Sequence, residues 1–152
     1  MKTMKVYANQ GWQATGVYGE DDINRGVLIQ ADGEWSYKAG KTCGPDGASW
    51  SEPGVSASGD TSFVYPADGS TAGQLLGRWG EDDARIIPVG KRRSEGGYPG
   101  SSNRQLYLRM NDRKEYYEDN SGHLEVVIDT YDRSPDSRNY RWNRLGQYWE
   151  QV

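Results

Sequence analysis

Leu106, Leu108 and Met110 alternate with Tyr107, Arg109 and Asn111, and Leu124, Val126 and Ile128 alternate with Glu125, Val127 and Asp129. A period of two places successive side chains on opposite faces of a pleated strand, so each run predicts a strand with one buried face. The same reading predicts strands near residues 3–8, 25–31, 34–38, 61–65, 73–79, 84–89, 104–111 and 123–131, separated by loops rich in Gly, Pro and Asp. No segment sustains apolar residues at helical spacing, so long helices are not expected. Gly40–Asp60 reads as the longest irregular stretch, and loops of that length inside a compact domain are usually functional or mobile. Ser94–Asn103 reads as a flexible hairpin connection.

Composition sharpens this into a fold class. A chain of 152 residues is long enough for one domain with a core of its own. With 20 Gly, 11 Tyr and 6 Trp but only 34% hydrophobic residues, it must build many turns around a small aromatic core, which predicts an all-β fold, a small β-sandwich of short antiparallel strands. No apolar run is long enough for a membrane span. Met1-Lys-Thr-Met-Lys5 has positive charge but no apolar segment behind it, so no signal peptide is read. The expectation is cytoplasmic synthesis, with any release or export by a non-classical route. Cys43 is the single cysteine, which excludes an intramolecular disulfide.

Net charge is −4 with acids and bases interspersed, and this argues against a nucleic-acid surface. Lys91-Arg-Arg93 is too short to change that and reads as a solvated loop. The tetrad Gly-Glu-Asp-Asp occurs at 19–22 and again at 80–83, and both copies read as solvated turns rather than as a second cation site. His123, the lone histidine, reads as a surface residue at a strand start, and no Ser-His-Asp or Cys-His set can be assembled around it. Carboxylates are abundant, but nothing in their spacing selects a glycosidase-like pair. No enzyme is expected.

The chemistry concentrates between the two clearest strands, where Asp112, Asp119 and Asn120 share one tight loop. Carboxylates and a carboxamide with no His or Cys nearby are hard oxygen donors that suit calcium better than zinc or copper. Asp, Asn, Ser and Gly are equally what a plain surface turn prefers, and the EF-hand pattern is absent. Spacing alone leaves both readings open.

Asn111-Asp112, Asp119-Asn-Ser-Gly122 and Leu124-Glu-Val-Val-Ile128 together resemble the signature of the calcium-dependent galactophilic lectin family of bacteria, the PA-IL type. Further pieces occur in the family's order. Gly11-Trp-Gln-Ala-Thr-Gly16, Val27 to the Trp-Ser-Tyr37 ending, Gly44-Pro-Asp-Gly47, Gly73-Gln-Leu-Leu-Gly-Arg-Trp-Gly80 and Ile87-Pro-Val-Gly90 are each similar to family segments, covering residues 4 to about 130 with gaps. The resemblance implies a jelly-roll or galactose-binding-like sandwich that binds a carbohydrate or glycoconjugate through Ca2+. It implies calcium ligands at the side chains of Asp112, Asp119 and Asn120 and at the main-chain carbonyls of Tyr37 and Tyr116. Such a set leaves positions open on a six- to eight-coordinate ion for two vicinal sugar hydroxyls.

One departure bears on specificity. Where the family carries a His and a Gln that contact the sugar, this chain runs Ala48-Ser-Trp-Ser-Glu-Pro-Gly54. Trp50, Ser51 and Glu52 therefore become the candidate ligand-contacting residues beside Asp112 and Asn120. Trp50 could stack on the apolar face of a pyranose or simply pack the loop onto the sandwich. A simple galactose preference is not expected.

The resemblance stops near residue 132, so the expected organisation is a lectin-like domain over 1–132 and an aromatic extension over 133–152. In that extension Tyr140 and Trp142 have strand spacing, whereas Leu145, Tyr148 and Trp149 have helical spacing. A segment so aromatic is expected to dock on its own domain, on a second copy in a homo-oligomer, or on another protein. The alternative to a lectin is a non-enzymatic interaction or structural domain with a calcium-stabilised loop.

Overall fold

A computed structural model of the chain describes residues 2–19, 25–49, 52–96, 104–114, 117–132, 140–143 and 148–151. The strands in chain order are β1 (Lys2–Tyr7), β2 (Gln13–Tyr18), β3 (Arg25–Asp32), β4 (Trp35–Lys38), β5 (Lys41–Cys43), β6 (Leu75–Trp79), β7 (Ile86–Pro88), β8 (Arg92–Gly96), β9 (Gln105–Met110), β10 (Ser121–Asp132), β11 (Tyr140–Asn143) and β12 (Tyr148–Gln151). Among the described residues the helical structure is one 3-10 turn, Asp83–Arg85.

Two antiparallel sheets make the sandwich. One runs β5-β4-β10-β3-β8 with β1 also paired to β10, and the other runs β2-β9-β6-β7. β10 is the spine of the larger sheet. β3 and β4 lie along one of its edges in a single register, from Asp132↔Arg25 to Ser121↔Ser36, interrupted only at Gly33 and Glu34, while β1 takes the other edge. The inward positions of the alternating runs meet between the sheets: Val6, Val27, Ile29, Leu124, Val126 and Ile128 face Leu75, Leu106, Leu108 and Met110, all buried. Each fully buried aliphatic side chain of this kind contributes about 1.5–3 kcal/mol relative to exposure. This burial fixes the register on which the loops depend.

Several expectations are corrected. Residues 61–65 form no strand; Phe63 makes only an isolated bridge to Arg113, and Asp60 accepts the backbone N–H and the hydroxyl of Ser62, a local turn that competes with a ladder. β2 escapes the sequence pattern because Gly16 sits at φ +76° and the β2–β9 register shifts between Ala14 and Tyr18. Lys91-Arg-Arg93 is not a solvated loop throughout, since β8 starts at Arg92 and pairs with β3. Ser94–Gly96 likewise belongs to that strand, whereas 97–103 lies outside the described residues. Gly40–Asp60 is less irregular than expected: β5 occupies its start, and Asp46↔Gln74 and Ser56↔Thr71 bridge it to the segment before β6.

The second Gly-Glu-Asp-Asp is a turn, as read. Asp82 caps the 3-10 turn by accepting the Ala84 N–H, and Asp83 accepts from Arg78 at 2.8 Å. Of the first copy, residues 20–22 lie outside the described residues. The C-terminal segment forms a hairpin, β11 pairing with β12 from Tyr140↔Gln151 to Asn143↔Tyr148. Tyr148 and Trp149 are therefore on a strand, and their helical spacing with Leu145 does not reflect a helix; residues 144–147 lie outside the described residues.

Candidate functional site

β9 delivers the chain to Asn111, which is fully buried and fastens three segments together. Its carboxamide accepts the Tyr65 N–H at 3.1 Å and donates to the Tyr65 and Thr71 carbonyls, while its backbone pairs with Gln74 and Gly73. Both amide hydrogens of Asn111 are thereby engaged, and its side chain is fully buried. Its work is to position the next residue, Asp112, whose carbonyl accepts the Val64 N–H at 3.0 Å.

Asp112 is 8% exposed. One carboxylate oxygen accepts the Arg113 N–H at 2.8 Å, and the other accepts the Asn120 amide at 2.6 Å. Burial pushes its carboxyl above the ordinary aspartate range; the Asn120 and Arg113 hydrogen bonds oppose that shift, Asp119 adds to it, and Arg109 opposes it least. Asn120 is 3% exposed and also donates to the Ala8 carbonyl at 3.2 Å, tying the loop to the end of β1. Its Oδ1 is buried without a hydrogen-bond partner. An unpaired buried amide oxygen is costly, and it is an oxygen in need of a donor or a cation.

Tyr37 approaches from β4. It falls in the register shift between Ser36↔Thr42 and Lys38↔Lys41, where a bulge takes one residue out of the regular ladder, a device common beside binding sites. Its side chain is buried, and burial first, then the Glu52 charge, raises its phenol pKa. Tyr37, Glu52, Asp112 and Asp119 all line one open cavity of about 200 Å3, together with Lys38, Pro53, Gly54, Val55, Phe63, Ala72 and Arg113. Glu52 accepts from Lys41 at 3.3 Å, so its charge is balanced by a neighbour outside the lining.

The structure thus places four of the sequence-selected residues around one cavity and Asn120 directly behind Asp112. Tyr116, Trp50 and Ser51 lie outside the described residues. The donors fit a hard cation in kind, being carboxylate, amide and carbonyl oxygens with an unpartnered Oδ1 among them. Among the described residues no group of three or more His, Cys, Asp or Glu side chains is spaced to hold a metal, so an ion here would take two carboxylates and fill its shell from amide and main-chain oxygens. Among the described residues the cavity lining holds no Cys or His, the soft and imidazole ligands.

Arg109 was not selected by sequence reasoning. It stands behind this loop, 5% exposed, donating from Nε to the Met110 carbonyl at 3.0 Å, with its guanidinium 5.0 Å from the Tyr117 ring and 5.7 Å from Trp12. Burial lowers its pKa. Its place on the polar side of the β9 alternation concealed it, because its aromatic cover comes from Tyr117 in the following loop and from Trp12, remote in sequence. His123 is a half-buried residue where β10 pairs with β1, 3.1 Å from Glu125 and with its ring tilted against Tyr7.

No protein-family model matches this chain, and no curated protein matches it in sequence. Among solved structures it is similar to the EclA N-terminal domain, described as a PllA-like lectin, with a TM-score of 0.58 and 20% identity over 86% of this chain and 97% of that one. The two share a small antiparallel β-sandwich. At this identity the likeness establishes a shared small β-sandwich, and what binds to this chain must be argued from its own residues.

Proposed function

We propose that this chain is a carbohydrate-binding protein, a lectin, in which Ca2+ held at the loop after β9 takes sugar hydroxyls directly. The observation that carries the proposal is the meeting of Asp112 and Asn120 at a buried corner, with Asn120 Oδ1 unpartnered, beside an open cavity lined by Tyr37, Glu52 and Asp119. Asp112, Asp119 and Asn120 would hold the ion by side chains, and Tyr37 and Tyr116 by carbonyls. The ion supplies Lewis-acid coordination of two vicinal hydroxyls. The protein supplies the remainder: Asn111 and Ala8 fix the loop, Phe63, Val55 and Pro53 give the cavity apolar wall, and Glu52 adds a carboxylate to its lining. The shared fold with a lectin domain supports this reading.

A glycan array read with calcium and again with chelator tests it. Binding that appears only with calcium is the expected result, and calcium-independent binding would remove the ion from recognition. Stabilisation by calcium with no glycan bound would favour the second reading, a calcium-stiffened interaction domain. The hydrogen bonds by which Asn120 ties β1 to the loop give that second reading its structural basis.

Asp112→Ala should separate site from scaffold. Asp112 contributes little apolar packing, and the loss of its two hydrogen bonds is offset by removing a carboxylate that burial disfavours, so the variant should fold within roughly 1–2 kcal/mol of the parent. Calcium and sugar binding should be lost together. Asn120→Ala is a poorer test, because it leaves the buried Ala8 carbonyl unpaired at a cost of about 1–3 kcal/mol. Full sugar affinity in Asp112→Ala, measured by titration calorimetry, would sink the metal-mediated mechanism.

A further inference from the structure

Each of two proposed calcium donors is followed immediately in sequence by a cation. Lys38 follows Tyr37, and Arg113 follows Asp112. Both are exposed and both line the cavity. From this pairing we infer that the site prefers acidic saccharides, those carrying a carboxylate or sulfate beside the hydroxyls that meet the ion. The inference rests on the lectin reading and adds the charge class of the ligand.

The charge balance of the cavity is the first support. Among the described residues neither Lys38 nor Arg113 is in an ion pair, in contrast to Lys41, which Glu52 engages. A divalent ion would neutralise Asp112 and Asp119, and Glu52 is already balanced by Lys41. Among the described residues Lys38 and Arg113 then leave the cavity lining with net positive charge. Concave sites lined by one sign of charge concentrate ligands of the other.

The second support is how Arg113 is held. Its guanidinium lies 5.3 Å from the centre of the Phe63 ring, and the two residues share a β-bridge. Stacking on a buried ring lowers the entropy lost when the guanidinium forms a bidentate pair with a carboxylate or sulfate. Asp60 also feels Arg113, but its carboxyl is held below the usual range chiefly by the Ser62 hydroxyl and N–H, with Arg113 the smallest cause. Asp60 is thus occupied locally, and it is not part of the cavity lining.

Titration calorimetry in calcium at low ionic strength tests this with matched methyl glycosides: galactoside, galacturonoside and galactoside 6-sulfate, and mannoside with mannuronoside. The acidic member of at least one series should bind about tenfold more tightly than its neutral partner, and the gap should shrink as salt shortens the range of the field. Arg113→Gln should bring that ratio towards one, and Arg113→Lys should restore part of it. A gain with carboxylates alone identifies uronates, and a gain with the sulfate as well identifies a general anion; either supports the inference. Neutral and acidic partners binding equally, or a ratio unchanged in Arg113→Gln, would overturn it while leaving the lectin reading intact. If no glycoside bound in calcium, the lectin reading would fail and the inference with it.

Discussion

Millimolar calcium is expected to raise the melting temperature of this protein, and excess chelator to lower it, by roughly 5–10 °C. At a calcium concentration about a hundred times Kd the stabilisation is about 2.7 kcal/mol, and for a domain of this size each kcal/mol moves the midpoint by roughly 2–4 °C. The physical source is Asp112. Its folded-state pKa lies above the unfolded value because burial disfavours the charge and Asp119 adds to it. Between those two values the native state binds more protons than the unfolded state, so stability falls as pH rises through that window. Above that window the calcium-free protein carries the full cost of an ionised, desolvated carboxylate. Calcium offsets that cost, and because its ligands must be deprotonated the stabilisation should grow with pH over the same window. Superimposable melting curves in calcium and in chelator at pH 7 would remove a metal from this loop.

The sandwich was legible because β9 and β10, one in each sheet, are alternations whose inward apolar positions are buried: Leu106, Leu108 and Met110, and Leu124, Val126 and Ile128. What escaped was held by contacts that no local period encodes. β2 is interrupted at Gly16, β8 hides in a basic run, and the Asp46 and Ser56 bridges join segments far apart in sequence. The loop between β9 and β10 could be marked as oxygen-rich, and Asp112, Asp119, Tyr37 and Glu52 do share a cavity. The division of labour within it could not be read. Asn111 and Asp112 are adjacent and similar in type, yet one is spent on Tyr65 and Thr71 while the other faces the cavity. Lys38 and Arg113 carried no motif and acquire meaning only once Tyr37 and Asp112 are brought to the same wall.

Gly73→Ala should be the most damaging single-methyl change near the site. Gly73 sits at φ +88°, where L side chains are strained, and an added Cβ would collide with Cys43 Sγ while meeting Tyr37 only at ordinary contact distance, 3.4–3.5 Å. The thiol has nowhere to go, since Cys43 is buried in the core, where desolvation pushes its pKa up to about 12. The backbone of Gly73 is equally constrained: its carbonyl accepts the Trp35 indole N–H at 2.7 Å, and its N–H donates to Asn111 at 2.8 Å. Strain and overpacking together should cost roughly 2–5 kcal/mol, and displacement of Asn111 or Tyr37 should reduce the calcium-dependent gain in melting temperature as well. Gly40→Ala is the matched control, with φ +76° but nothing within 4 Å of the new methyl, so it should show the backbone strain alone. Cys43→Ala in the Gly73→Ala background removes the colliding sulfur and should recover part of the loss. If Gly73→Ala melted no lower than Gly40→Ala, Gly73 would not be the close-packed joint between Trp35, Cys43 and the strand that leads to Asp112, and the positioning of Asp112 would have to rest on Asn111 alone.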